Sequence, residues 1–143
     1  MTFRPYDQLT SSGLSDSRAN DTGVQIDKGT PVRINSAGTL DFVNVAVEDE
    51  ALNATGVASA SIPNGSSGEF LSSGKIEDIT TTADFGDLLF IDKTGSLTNT
   101  KPTLGENGFV SGDFVVAVGV VAKNQSNPLL KDLIINIDIQ GQL

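Results

Sequence analysis

Phe114-Val115-Val116-Ala117-Val118-Gly119-Val120-Val121 is apolar on both of the faces that an extended chain presents. Side chains of a strand alternate between two sides, so a strand of this composition has no side to give to solvent. It belongs inside a sandwich or barrel, or inside a contact between subunits. A second run, Leu133 to Ile139, is different. Leu133, Ile135, Ile137 and Ile139 share one face, while Asn136, Asp138 and Gln140 share the other. Ile134 breaks that alternation, because it falls with the polar set. We read the two runs as neighbouring strands that anchor a sheet. The fold class that follows is all-β: a single compact β-sandwich or β-barrel-like domain with short hairpins, an extended N-terminal arm and at most one short helix.

Composition narrows what such a domain does. The chain has 143 residues, 38% hydrophobic but only 6% aromatic, so the core is built from Val, Ile, Leu and Ala. Branched side chains of that kind pack well on a pleated surface. Nine basic residues face 18 acidic ones, a net charge of -9. Binding to phosphates needs clustered Lys and Arg, so neither nucleic acid nor an anionic membrane is an expected partner. There is no cysteine and no histidine. That removes disulfides, thiolate metal sites, thiol nucleophiles and any Ser-His-Asp triad. We expect no enzyme, no cofactor and no metal site. Met1-Thr2-Phe3-Arg4-Pro5-Tyr6 has no apolar stretch of the kind that directs export, so synthesis in the cytoplasm without export is expected.

Working outward from the anchoring pair, residues 1–22 read as the extended arm and 23–143 as the β domain. Thr10 to Ser17 is small and polar, with too little apolar surface for a core position. Phe3, Tyr6 and Leu9 are nonetheless apolar, and Arg4 is one of few cations. These four are the arm's candidate partner-binding residues. Pro31 to Asn35 and Thr39 to Asp41 read as a hairpin about Ser36-Ala37-Gly38. Phe42 to Leu52 is the one stretch with helical spacing, through Val43, Val47 and Ala51, and Glu48-Asp49-Glu50 is its solvated face. Ala54 to Ile62 reads as a strand with Ala58, Ala60 and Ile62 on one small-residue face. Ser67 to Leu71 and Lys75 to Ile79 read as a second hairpin, and Asp87 to Ile91 as a strand. Asn99 to Gly112 is the longest loop, with few residues to fix it. Ala58, Ala60, Val116, Val118 and Gly119 are the candidates for an oligomer interface or for close packing. Gly119 in particular interrupts a run of valines, where glycine marks a bulge or a close approach.

A partial repeat is visible. Gly29-x-x-Val-x-Ile-x-x-x-Gly-x-Leu, from 29 to 40, matches Gly86-x-x-Leu-x-Ile-x-x-x-Gly-x-Leu, from 86 to 97. Each copy leads towards a Gly-Val pair, Gly56-Val57 and Gly119-Val120. We take these as two hairpins with common turn chemistry, not as a duplicated domain. Other motifs carry less. Asp84-Phe85-Gly86 lacks every other element of a kinase. Asn20, Asn53, Asn64 and Asn124 open Asn-x-Ser/Thr triplets that follow from a composition rich in those residues. Asp84 with Asp87, or Asp41 with Asp138, are carboxylate pairs, but a glycosidase cleft is lined by aromatic residues and this chain has no Trp and one Tyr.

The segment Gly86-Asp87-Leu88-Leu89-Phe90-Ile91, followed by Gly95-Ser96-Leu97-Thr98, a Gly/Pro loop and Val116-Ala117-Val118-Gly119-Val120-Val121, resembles a layout of small virion proteins of tailed bacteriophages. Ile62-Pro63-Asn64-Gly65-Ser66-Ser67-Gly68-Glu69 and Ser73-Gly74-Lys75-Ile76-Glu77 are similar to a hairpin of the same proteins. The resemblance covers residues 54–139. It implies a capsid decoration (cement) protein or a head-fibre component. Such a protein sits on the capsid surface of the virion and binds the major capsid protein or another virion protein. It implies a homo-oligomer, with a trimer the first expectation. The alternative is a carbohydrate-binding adhesin module of a tail or surface fibre, for which Phe70, Phe85 and Phe109 would be the aromatic platforms.

Overall fold

The computed structural model describes residues 13–143. Ten strands and one short helix follow in the order β1 (Ser15–Ala19), β2 (Pro31–Ile34), β3 (Leu40–Phe42), α1 (Glu48–Leu52), β4 (Ala54–Ala58), β5 (Ser67–Leu71), β6 (Gly74–Ile76), β7 (Leu88–Ile91), β8 (Leu97–Thr98), β9 (Phe114–Lys123) and β10 (Lys131–Gln142). They form two five-stranded antiparallel sheets packed together, ordered β1-β5-β4-β2-β3 and β6-β10-β9-β7-β8. The all-β reading with at most one short helix therefore holds for the described residues. The two anchoring runs are neighbours, as expected, because β9 and β10 pair antiparallel.

Adding five to every strand label of the first sheet produces the second, and the match extends to single residues. Ile34 faces Leu40 as Ile91 faces Leu97. Pro31, Val32 and Arg33 face Val57, Gly56 and Ala54, as Leu88, Leu89 and Phe90 face Val120, Gly119 and Ala117, and each set shifts register at the same step. Val57 and Ala58 face Leu71 and Phe70, as Val120 and Val121 face Ile134 and Leu133. Ser15 and Asp16 face Leu71 and Phe70, as Lys75 and Ile76 face Ile134 and Leu133. The short repeat visible in the sequence is thus the best-preserved part of a fold built twice. This corrects the reading of it as two hairpins with common turn chemistry.

Four further expectations change. Residues 15–19, placed in the arm, are β1, an edge strand of the first sheet. Its Ser-Asp-Ser-Arg-Ala sequence buries almost nothing, so backbone pairing holds it and no apolar pattern announces it. The expected hairpin of Ser67–Leu71 with Lys75–Ile79 is not one: β5 and β6 lie in different sheets, and Ser72-Ser73 is the crossing from the first unit to the second. The strand from Ala54 ends at Ala58, so Ala60 is exposed on a bend while Ala58 and Ile62 are buried, and the three do not line one strand face. The face Leu133, Ile135, Ile137, Ile139 holds for its first three members, Leu133 and Ile135 buried and Ile137 half-buried against the same core, and fails at the fourth. Register shifts after Ile135 and after Ile139 turn the strand, and Ile139 is exposed.

Two main clusters fill the interior. One lies within the first unit: Ile26, Val32, Leu40, Ala58, Ile62 and Phe70. The strand-like contact of Ile26 with Ile62, and of Asn20 with Leu40, draws the sheet round this cluster. The larger one belongs to the second unit through Leu89, Ile91, Val121 and Leu133, the counterparts of Val32, Ile34, Ala58 and Phe70. Val57 and Leu71 of the first sheet also join this larger cluster. Because neighbours on a strand point to opposite sides, the first sheet has one face on its own core and the other against the second unit.

Candidate functional site

Among the sequence candidates, Ala58, Val116 and Val118 are fully buried within the chain, so they pack inside the protomer. Ala60 is exposed. Gly119 sits where β7 and β9 change register, and a Cβ there would collide with the Ile134 carbonyl oxygen and touch the Leu133 side chain. It is a point of close approach. The arm candidates Phe3, Arg4, Tyr6 and Leu9 lie outside the described residues.

The expected aromatic platforms separate. Phe70 and Phe109 are buried in the core, and only Phe85 is exposed, with Lys123 Nζ 5.5 Å from its ring centroid. The carboxylate pairs do not converge on a cleft. Asp87 accepts the Asp84 backbone N–H at 2.9 Å and so closes a turn. Asp41 lies on β3 of the first sheet, in an ion pair with Arg33 at 3.0 Å, whereas Asp138 lies on β10 of the second.

Loop 99–112 is better fixed than its composition indicates. Phe109 and Pro102 are buried. Lys93 Nζ donates to the buried Asp113 carboxylate at 2.6 Å, and the Val110 N–H donates to the same oxygen at 2.8 Å. Burial alone would raise the Asp113 carboxyl, but the Lys93 hydrogen bond, the Val110 N–H and the Lys93 charge outweigh it and hold the group below its usual value. The loop borders a small depression of ≈ 190 Å³ lined by Asp92, Lys93, Thr94, Thr98, Thr100, Asn107 and Phe109. On its outer side the loop carries Leu104 and Val110, each 57% exposed. The Gly105 N–H bonds to the Phe109 carbonyl between them, so two apolar side chains stand outward on a closed turn.

The second feature is a row across the second sheet. Leu88, Val120 and Ile134 stand side by side on β7, β9 and β10. Val120 is 40% and Ile134 42% exposed, while Leu88 is half-buried. Further along this face Phe90, Val115 and Ala117 are buried in a small cluster with Leu143 against it. Sequence reasoning did not select this row. Its signal was present, however: Ile134 is the residue that breaks the alternation of its strand.

No family model matches this chain, and no curated protein or solved structure matches it either.

Proposed function

We propose that this chain is a structural protein of a tailed-phage particle, a capsid decoration protein that binds the outer head surface and stabilises it. It works by binding, with no chemistry of its own, and acts as a homo-oligomer, a trimer by analogy with the proteins it resembles. The supporting observation is the pair Leu104 and Val110, two large apolar side chains carried outward on a loop that the Lys93–Asp113 hydrogen bond and the buried Phe109 tie to the domain. Apolar anchors on a fixed loop favour a protein surface as the ligand, because little ordering entropy opposes docking. The resemblance of residues 54–139 supplies the class of surface.

Mass spectrometry of purified particles should find the chain in many copies, and electron microscopy should place it on the head. Replacing Leu104 and Val110 together with Asp should weaken rebinding to stripped heads at least tenfold, with the circular dichroism spectrum unchanged. Particles without the chain, or full rebinding by the double variant, would refute the reading.

A further inference from the structure

The structural repeat assigns a partner to the open row of the second sheet. In the first unit the same three positions are Pro31, Val57 and Leu71, and all three are buried, Val57 at 0% and Leu71 at 8% exposure. Val57 and Leu71 are covered because they join the cluster that holds Val116, Val118, Leu133 and Ile135 of the second unit. One row of this design is therefore already a contact between units. Its counterpart, Leu88, Val120 and Ile134, keeps the apolar character of a contact and is open at its centre, where Val120 is 40% exposed.

A third unit stacked in the same sense would need a second receiving surface. In the second unit Val116, Val118 and Ile135 contribute to that surface. The matching positions of the first unit, one repeat of 63 residues earlier, are Asn53, Thr55 and Ser72, all polar, with Asn53 exposed and Thr55 and Ser72 half-buried. Head-to-tail growth of copies therefore has no apolar seat to land on. Contacts that cannot propagate close on themselves.

We infer that the row Leu88, Val120, Ile134 is a self-contact, covered by the same row of the other copies of this chain about the symmetry axis of a closed assembly. This deepens the proposed function by naming the surface of its homo-oligomer; it rests on that reading only for where the assembly sits.

Two measurements on the full chain test it. Light scattering at micromolar concentration should show a closed oligomer for the wild type. Val120→Asp with Ile134→Asp should be monomeric, with an unchanged circular dichroism spectrum. Because the chain has no cysteine, Val120→Cys adds a single thiol. A short bis-maleimide should join two copies through it, whereas Leu104→Cys on the outer loop should stay uncoupled. The cross-link decides the matter if the aspartate variant does not fold. A monomeric wild type, an oligomer that survives both aspartates, or equal coupling at 120 and 104 would overturn the inference. An oligomer broken by the aspartates, in a protein absent from purified particles, would refute the virion reading and leave the self-contact standing.

Discussion

Pro31, Val57 and Leu71 cross the first sheet in the same register in which Leu88, Val120 and Ile134 cross the second, yet the first row is buried and the second is open. Backbone pairing is identical, so exposure here follows from position in the stack, not from local structure. The side chains have diverged to suit. Where the second unit receives its neighbour it carries Val116, Val118 and Ile135; where the first unit receives none it carries Asn53, Thr55 and Ser72. Stacked repeats keep the pairing that makes each unit and vary the faces that meet. The connections diverge as well. The stretch from Leu40 to Ala54 includes α1, while the matching stretch from Leu97 to Ala117 is six residues longer and has no helix.

The two interior glycines put the strongest strain on this equivalence. Gly56 and Gly119 occupy the same register step, and a Cβ at either would strike a neighbouring strand's carbonyl oxygen, that of Leu71 or of Ile134. A backbone oxygen within a sheet cannot swing aside as a flexible side chain can. Gly119→Val should cost about 3 kcal/mol, the upper part of the overpacking range, and Gly56→Val a similar amount. Urea denaturation would measure both. A large loss at one glycine with none at the other would mean that the two bulges are alike in drawing only.

Asn20 has no such twin. Its Nδ2 donates to the Val24 and Ile62 carbonyls at 2.8 and 2.9 Å, and its Oδ1 accepts the N–H and the hydroxyl of Thr22. In the second unit a different pin appears, in which Asn124 Nδ2 donates to both oxygens of the buried Asp132. Asn20→Ala removes one of two donors from each carbonyl, since Ile62 keeps the Ile26 N–H and Val24 keeps the Thr22 hydroxyl, and it takes the acceptor from the Thr22 N–H; the several lost hydrogen bonds should together cost about 2 kcal/mol. Thermal unfolding would read the loss. An unchanged melting temperature would show that water replaces the amide and that the first unit needs no pin.

The strands of the core were legible from apolar pattern and turns, because Val32, Ile34, Leu89 and Ile91 follow the period of two and β9 is apolar on both faces. β1 was not, since Ser15 to Ala19 enters the sheet through its backbone while its side chains stay in solvent. The separation of β5 from β6 was hidden for a related reason: Ser72-Ser73-Gly74 has ordinary hairpin chemistry, and only the partners β4 and β10 decide that it joins two sheets. Loop 99–112 looked loose because the acid that ties it down, Asp113, finds its lysine 20 residues away at Lys93. The open row was signalled by Ile134 alone. Reading it as a contact surface required the buried counterpart, and that exists only in three dimensions.

An ion pair ties each unit's long connection, and the two ties differ in burial. In the first, Arg33 reaches Asp41 at 3.0 Å and Glu50 at 3.3 Å, with the acids partly in solvent. In the second, Lys93 reaches Asp113, which is 2% exposed. Glu50 and Asp113 occupy matching places, each just before the strand that carries the bulge, while their bases come from different elements. Lys93→Met should therefore cost about 2 kcal/mol, as expected for a hydrogen bond to a charge, and Arg33→Met about 1 kcal/mol or less. The Lys93 effect should depend on pH in a defined sense. The folded-state value of Asp113 is lowered from 3.8, so its contribution is present above that value and is lost as pH falls through the lower folded one. The gap between wild type and Lys93→Met should be full near neutrality and close in acid. A gap of equal size at both ends would mean that the lysine acts through packing on Phe109, 5.9 Å from its nitrogen, and not through charge.

The smallest effect lies in the turns that first revealed the repeat. Asn35 Oδ1 accepts the N–H groups of Ala37 and Thr39 at 3.0 and 3.1 Å. Asp92 Oδ1 accepts those of Thr94 and Ser96 at 2.8 and 3.0 Å. Each oxygen also receives one threonine hydroxyl, from Thr39 in the first turn and Thr94 in the second. The turn needs only an acceptor at that point, and an amide oxygen and a carboxylate both supply one. Asp92→Asn and Asn35→Asp should each shift stability by no more than about 0.5 kcal/mol, whereas Asp92→Ala and Asn35→Ala should each cost about 1 kcal/mol. Differential scanning calorimetry on the four single variants would separate the two classes. If the exchange proves as costly as alanine at either turn, charge matters there, and the hairpins share a shape but not a mechanism. If all four are silent, the turns are held by the strands alone, and the repeated glycines at Gly38 and Gly95, both at positive φ, carry the turn geometry without the side chain before them.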